Sequence, residues 1–109
     1  MSPNFPKNYP NNIEKTEVIA VEQGKIFSLH FTAFNIEYHS TCRYDHLTIT
    51  DGVDGSTLME KSCGNTLPVD ITSRSNIVKL VFKTDGIATR PGWSVSWSVV
   101  TLGEGQQHA

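Results

Sequence analysis

From Trp93 to Val99 the side chains alternate without a break, with Trp93, Val95, Trp97 and Val99 on one parity and Ser94, Ser96 and Ser98 on the other. A helix, with its period of 3.6, scatters such a set around its axis, whereas a strand puts every second residue on the same face. The run is therefore a strand that turns its aromatic and branched residues to a core and its serines away from it. Phe27, Leu29 and Phe31 against Ser28, His30 and Thr32 repeat the pattern, and Val78, Leu80 and Phe82 against Lys79 and Lys83 give it a third time. Between such runs lie Gln23-Gly24, Asp51-Gly52, Asp54-Gly55, Cys63-Gly64-Asn65 and Pro91-Gly92, residues that tolerate positive φ or pre-set a turn. Short strands punctuated in this way predict antiparallel sheets packed as an all-β sandwich.

A chain of 109 residues supports one such core and no second lobe. The strap to Asn12, with Pro3, Pro6 and Pro10, is expected to be extended and irregular, residues 1–102 to form the domain, and residues 103–109 a polar tail. A net charge of −2 with scattered Lys and Arg provides no basic stripe, which argues against nucleic acid as a partner. No apolar run approaches the roughly 20 residues needed to cross a bilayer as a helix, so membrane insertion is not expected. Met1 opens no charged or apolar leader pattern. The cysteines, Cys42 and Cys63, permit one disulfide and equally permit two buried thiols.

The segment Phe34-Asn35-Ile36-Glu37 followed by Cys42-Arg43-Tyr44-Asp45 sets two carboxylates and a cysteine around one apparent loop, and Asp85 follows the strand-like run from Ile77 to Lys83. Three carboxylates brought together call for a cation, because like charges at close range raise one another's pKa or push the loops apart. Taken singly, Glu37 and Asp85 read equally as solvated loop charges, and Asp45 as an acceptor of backbone N–H groups at a strand start.

The series Ser2-Pro3-Asn4-Phe5-Pro6 with Tyr9-Pro10, Gly24 with Phe27, Leu29 and Phe31, Phe34 to Glu37, Cys42-x-Tyr44-Asp45, Asp51-Gly52, Cys63-Gly64, Ser75-Asn76, Phe82 with Thr84-Asp85, and Gly92-Trp93 resembles the CUB domain family in order and spacing. The resemblance runs from Ser2 to about Val100. It implies a jelly-roll-like sandwich of two antiparallel sheets, secreted or extracellular, that binds other proteins and catalyses nothing. It also implies a bridge between Cys42 and Cys63. No cysteine lies between Asn11 and Val21, where many members have one partner of a further bridge, so the chain looks more like the one-disulfide modules that open the complement-initiating proteases. Members usually have a glycine-containing strand upstream of Ser2, and its lack would leave a sheet edge open to homodimer formation.

In the calcium-binding subset of that family, the matching positions ligate the ion, and here they are Glu37, Asp45 and Asp85. Calcium suits them because it takes 6 to 8 oxygen ligands in irregular geometry, with backbone carbonyls such as that of Ile87 completing the shell. Tyr9 matches the tyrosine that hydrogen-bonds the acidic cluster in this subset, and would orient its ligands. The implied mode of recognition is receipt of a partner protein's exposed Lys or Arg at the calcium-ordered loops, with Tyr38 and His39 as candidate partner-binding residues.

Catalysis is not expected, since no Gly-x-Ser-x-Gly elbow or other nucleophile context is present. His30 and His46 lack paired zinc-ligand spacing and are expected to be surface-facing strand histidines. Trp93 and Trp97, two apart in an alternating strand, are expected to be buried rather than to form a sugar-stacking platform. Two rival readings are a glycan- or coat-binding module resembling the spermadhesins and a self-association module. No Asn-x-Ser/Thr acceptor occurs in the chain.

Overall fold

The structure is a computed structural model and describes residues 1–101. The polar tail expected at 103–109 lies outside the described residues. Seven strands are present: β1 (Glu14–Ala20), β2 (Lys25–Asn35), β3 (His46–Asp51), β4 (Thr57–Ser62), β5 (Ile71–Thr72), β6 (Ile77–Lys83) and β7 (Gly92–Thr101). There is no helix among the described residues. One sheet has the order β1-β6-β3-β4 and the other β5-β2-β7, with every pairing antiparallel. The expected all-β sandwich of two antiparallel sheets is what the chain forms.

The alternating runs supply the core. Phe27, Leu29 and Phe31 of β2, Leu47 and Ile49 of β3, Val78, Leu80 and Phe82 of β6, and Trp93 of β7 are all buried between the sheets. The aromatic rings meet edge to face, Phe82 with Trp93 at 5.9 Å and Phe31 with Phe34 at 5.6 Å between centroids, the arrangement favoured by the ring quadrupole.

The β2–β7 register shifts between Phe31 and Ala33, a bulge that leaves Thr32 without a Cα partner. Before it the odd positions of β2 face the core; after it Phe34 and Ile36 are the buried ones. A bulge adds one residue to one strand and so exchanges the two faces beyond it. Asn35 and Glu37 are thereby released from the core face as the chain leaves the sheet.

Two expectations fail. Trp97 is 46% exposed instead of buried, and Val99 on the same parity is 40% exposed. Among the described residues, β7 is the outer strand of its sheet and has β2 as its strand partner. The Trp97 ring therefore finds cover on one flank, edge-on to Phe27 at 5.4 Å. His46 is buried rather than surface-facing. It opens the inner strand β3, directly after the loop that holds Cys42, and its Nδ1 is buried without a hydrogen-bond partner. Burial, with Lys61 nearby as a lesser cause, pushes the His46 imidazole pKa down.

The N-terminal strap is irregular, as expected, and is laced to the segment from Asp85 to Trp93. Asn12 N–H donates to the Asp85 carbonyl at 2.8 Å, Tyr9 N–H to the Arg90 carbonyl at 3.1 Å, and Ser2 N–H to the Trp93 carbonyl at 2.9 Å. Gly92 allows the approach: its φ is +92°, and a Cβ there would run into the Ser2 side chain. Cys42 and Cys63 are disulfide-bonded, tying the β2–β3 loop to the end of β4.

Candidate metal centre

Three loops meet at one end of the sandwich. The first leaves β2 beyond the bulge, and Ile36 anchors it through an isolated bridge to Gly64, with N–H to carbonyl distances of 2.9 Å in both directions. Ile36 is buried, so the next residue, Glu37, stands at the rim. The second element is the entry to β3, where Asp45 precedes the buried pair His46 and Leu47. The third is the turn after β6, where the Thr84 hydroxyl donates to the Pro10 carbonyl at 2.9 Å and accepts Ile13 N–H at 3.1 Å, fixing the approach to Asp85.

Glu37, Asp45 and Asp85 each offer one carboxylate oxygen, and these atoms lie within 4.8 Å of one another. Asp45 is fully buried at 0% exposure. Its Oδ2 accepts the Tyr9 hydroxyl at 2.6 Å and its Oδ1 accepts Asp85 N–H at 2.9 Å. The same Tyr9 hydroxyl oxygen accepts Glu37 N–H at 3.0 Å. Tyr9 thus connects two of the three acidic segments from inside the core, where its ring packs edge-on against Phe82 at 5.0 Å. Asp85 Oδ1 in turn accepts Ile87 N–H at 3.2 Å, closing a short turn.

The electrostatics are those of crowded, partly desolvated acids. Burial is the main cause that raises the Glu37 carboxyl pKa, followed by the charges of Asp45 and Asp85. Burial likewise raises Asp45, against the lowering effect of the hydrogen bonds from Tyr9 and the Asp85 main chain. The Tyr9 hydroxyl, buried and bonded to a carboxylate, is held protonated far above the usual range.

The residues fit a hard divalent cation. Glu37 Oε1 is buried and has no hydrogen-bond partner, a costly state for a carboxylate oxygen. Oxygens bound to one calcium at about 2.3–2.6 Å are at most roughly twice that distance apart, which agrees with the 4.8 Å spread. An all-oxygen donor set favours calcium over zinc, which prefers nitrogen and sulfur.

Tyr38 and His39 flank Glu37 differently. Tyr38 is 72% exposed. The His39 ring lies 4.3 Å from Tyr44, and its Nδ1 accepts Thr41 N–H at 3.1 Å, so its visible contacts are within the loop. Ile87, expected to offer its backbone carbonyl, is 78% exposed and adds an apolar side chain at the rim.

The family model for the CUB domain matches residues 1–97. Human cubilin is 43% identical over 106 residues, covering 95% of this chain and 3% of the relative. Mouse tolloid-like protein 1 is 38% identical over 97 residues, covering 88% of this chain and 10% of the relative. Among solved structures, a MASP-1 CUB2 domain bound to Ca2+ superposes with a TM-score of 0.79 at 31% identity, covering 88% of this chain and 86% of that one. The CUB1-EGF-CUB2 region of human MASP-1/3 gives a TM-score of 0.83 at 24% identity, covering 97% and 42%, a likeness of fold. The chain therefore spans a small part of the length of the curated relatives.

Proposed function

The chain belongs to the CUB domain family, and from that premise we propose that it is a non-catalytic extracellular module, formed by residues 1–102, that recognises another protein through a calcium site built from Glu37, Asp45 and Asp85. The observation that carries this reading is the convergence of three carboxylate oxygens within 4.8 Å, with Glu37 Oε1 buried and unpartnered. The calcium-bound MASP-1 CUB2 relative supports the choice of ion.

Calcium supplies charge neutralisation that lets the three acidic loops stay together. The protein's own residues do the rest. Tyr9 orients Asp45 and pins the Glu37 main chain, and the carbonyl of Ile87, whose N–H is bonded to Asp85 Oδ1, would complete the shell. Oxygens left at the rim accept a Lys or Arg of the partner, with Tyr38 beside them and His39 shaping the loop. Such an exposed charge contact is weak and salt-sensitive, so avidity from several modules governs net affinity.

The test is a calorimetric calcium titration of metal-stripped protein beside Asp85→Ala, with thermal melts run with and without the ion. Saturable binding in the parent alone, with matching stabilisation, supports the reading. Identical melts and no binding heat overturn it.

A second reading, self-association, is favoured by one observation: Trp97, Val99 and Val100 are exposed on the outer strand β7, whose free edge can pair with a second copy. Concentration-dependent sedimentation that Trp97→Ser abolishes would establish it.

A further inference from the structure

Beside the acidic cluster lies a recess of about 200 Å³ lined by Asn35, Ile36, Tyr38, Gly64, Asn65 and Arg90. It is smaller than the roughly 300–1,000 Å³ of small-molecule sites, a volume suited to one side chain. Its chemistry is opposite to that of its neighbour. No carboxylate lines it, and its side chains can supply N–H and O–H donors from two amides, a phenol and a guanidinium, the last a donor only.

These donors are unspent. Among the described residues the side chains of Asn35, Tyr38 and Asn65 have no hydrogen bond within the protein, and Arg90 uses one Nη1 bond to the Thr89 carbonyl at 2.7 Å. The frame beneath them is firm. Ile36 and Gly64 form the two-way bridge at its floor, Asn35 pairs with Gly92 at the end of β2, and the Arg90 carbonyl is held by Tyr9 N–H. The Arg90 charge also reaches Glu37, where it offsets part of the upward pull on that carboxyl.

We propose that this recess is a second subsite of the recognition surface, taking a carboxylate from an Asp or Glu side chain of the partner. The partner's identity as a protein rests on the reading above, whereas the subsite's chemistry rests on the recess alone. A guanidinium with free N–H groups and two amides around it makes charge-assisted bonds to a carboxylate that a neutral amide cannot match. The surface then reads charge pairs: a base at Glu37, Asp45 and Asp85, and an acid at Arg90. A partner with a base alone satisfies half of it.

The experiment is an acetate titration of metal-stripped, chelator-free protein, followed by NMR at the side-chain amides of Asn35 and Asn65 and at Arg90 Nε–H, with acetamide as the neutral isostere. Saturable millimolar shifts confined to these groups are expected with acetate, weakened roughly tenfold or more in Arg90→Gln and several-fold in Asn65→Ala. Both positions are exposed, so an unchanged amide spectrum elsewhere confirms the fold. Equal shifts with acetamide, no saturation, or full acetate binding in Arg90→Gln would overturn the subsite. Acetate binding here without calcium binding in calorimetry would remove the cation reading and leave the subsite standing; the reverse result would do the opposite.

Discussion

Tyr9 and Asp45 are both buried, stand 36 residues apart in sequence, and are joined by a 2.6 Å hydrogen bond in which the phenol donates to the carboxylate. Because the same hydroxyl accepts Glu37 N–H, Tyr9→Phe removes one donor from a buried acid and one acceptor from a main-chain N–H without changing the ring. The expected cost is about 1–3 kcal/mol in metal-free protein. Calcium affinity should fall roughly 10- to 100-fold. Urea unfolding and calorimetry read the two effects separately, and wild-type values for both would show that the phenol organises nothing.

The acids give a pH signature. The Glu37 and Asp45 pKa values are raised in the folded protein, mainly by burial, so the native state holds protons more tightly than the unfolded chain. Stability from these groups is present below the ordinary carboxylate range and is lost as pH rises through the raised values. His46, whose pKa is lowered by burial, contributes the opposite slope and is common to parent and Glu37→Gln. The melting temperature of metal-free parent minus that of Glu37→Gln should therefore fall as pH rises above the ordinary carboxylate range, and saturating calcium should reverse that fall. A flat difference without the ion would contradict the assigned shifts.

At the opposite extreme is Asp51, where Oδ1 accepts the Ser75 hydroxyl at 2.6 Å and Oδ2 accepts Val53 and Asp54 N–H at 2.8 Å each. These bonds, the one from Ser75 first, lower its pKa. The stability they confer is present above the unfolded carboxyl value of about 4 and disappears as pH drops through the depressed native value. Asp51→Asn should cost about 1–3 kcal/mol at pH 7. Denaturant midpoints of parent and variant should converge at strongly acid pH, and a constant gap would count against this assignment.

The bridge between Cys42 and Cys63 closes a sequence separation of 21 residues. In the chain-entropy account such a loop is worth roughly 3 kcal/mol. The double variant Cys42→Ser/Cys63→Ser should lose about that much in equilibrium denaturation. Since the bridge fastens the loop between Glu37 and Asp45, calcium affinity should drop as well. Unaltered affinity would mean that the loop is positioned by Ile36 and Tyr9 without the staple.

Much of the architecture was legible because β2, β6 and β7 bury alternate residues. Strands β1 and β4 were not, since each lies at a sheet edge and is mostly exposed or half-buried, so nothing in Glu14-Lys15-Thr16-Glu17 demands a strand. Alternation assigns a face without saying how far cover extends. That is why Trp97, half-covered on an outer strand, and His46, buried beneath the loop at Cys42, were misjudged. The three acids came from a pattern shared with a family, as no local rule links Asp85 to Glu37. The donors around Arg90 are not legible in the sequence, because their meeting depends on the bridge between Ile36 and Gly64, a long-range contact without a signature in either segment.

The extra residue at the β2 bulge behaves like a frame setting. Phe34 and Ile36 are core residues and Glu37 a rim residue only because the count between Phe31 and Ala33 is odd by one. Were the ladder to run straight through Thr32 with no bulge, the composition would be untouched, yet the carboxylate would turn to the interior and the Phe34 ring to water. Substitutions can tune the rim one side chain at a time, but absorbing the extra residue into the ladder would rewrite core and rim together. Loop exchange between such modules therefore has to carry the bulge with it, or the transplanted acids will face the wrong way.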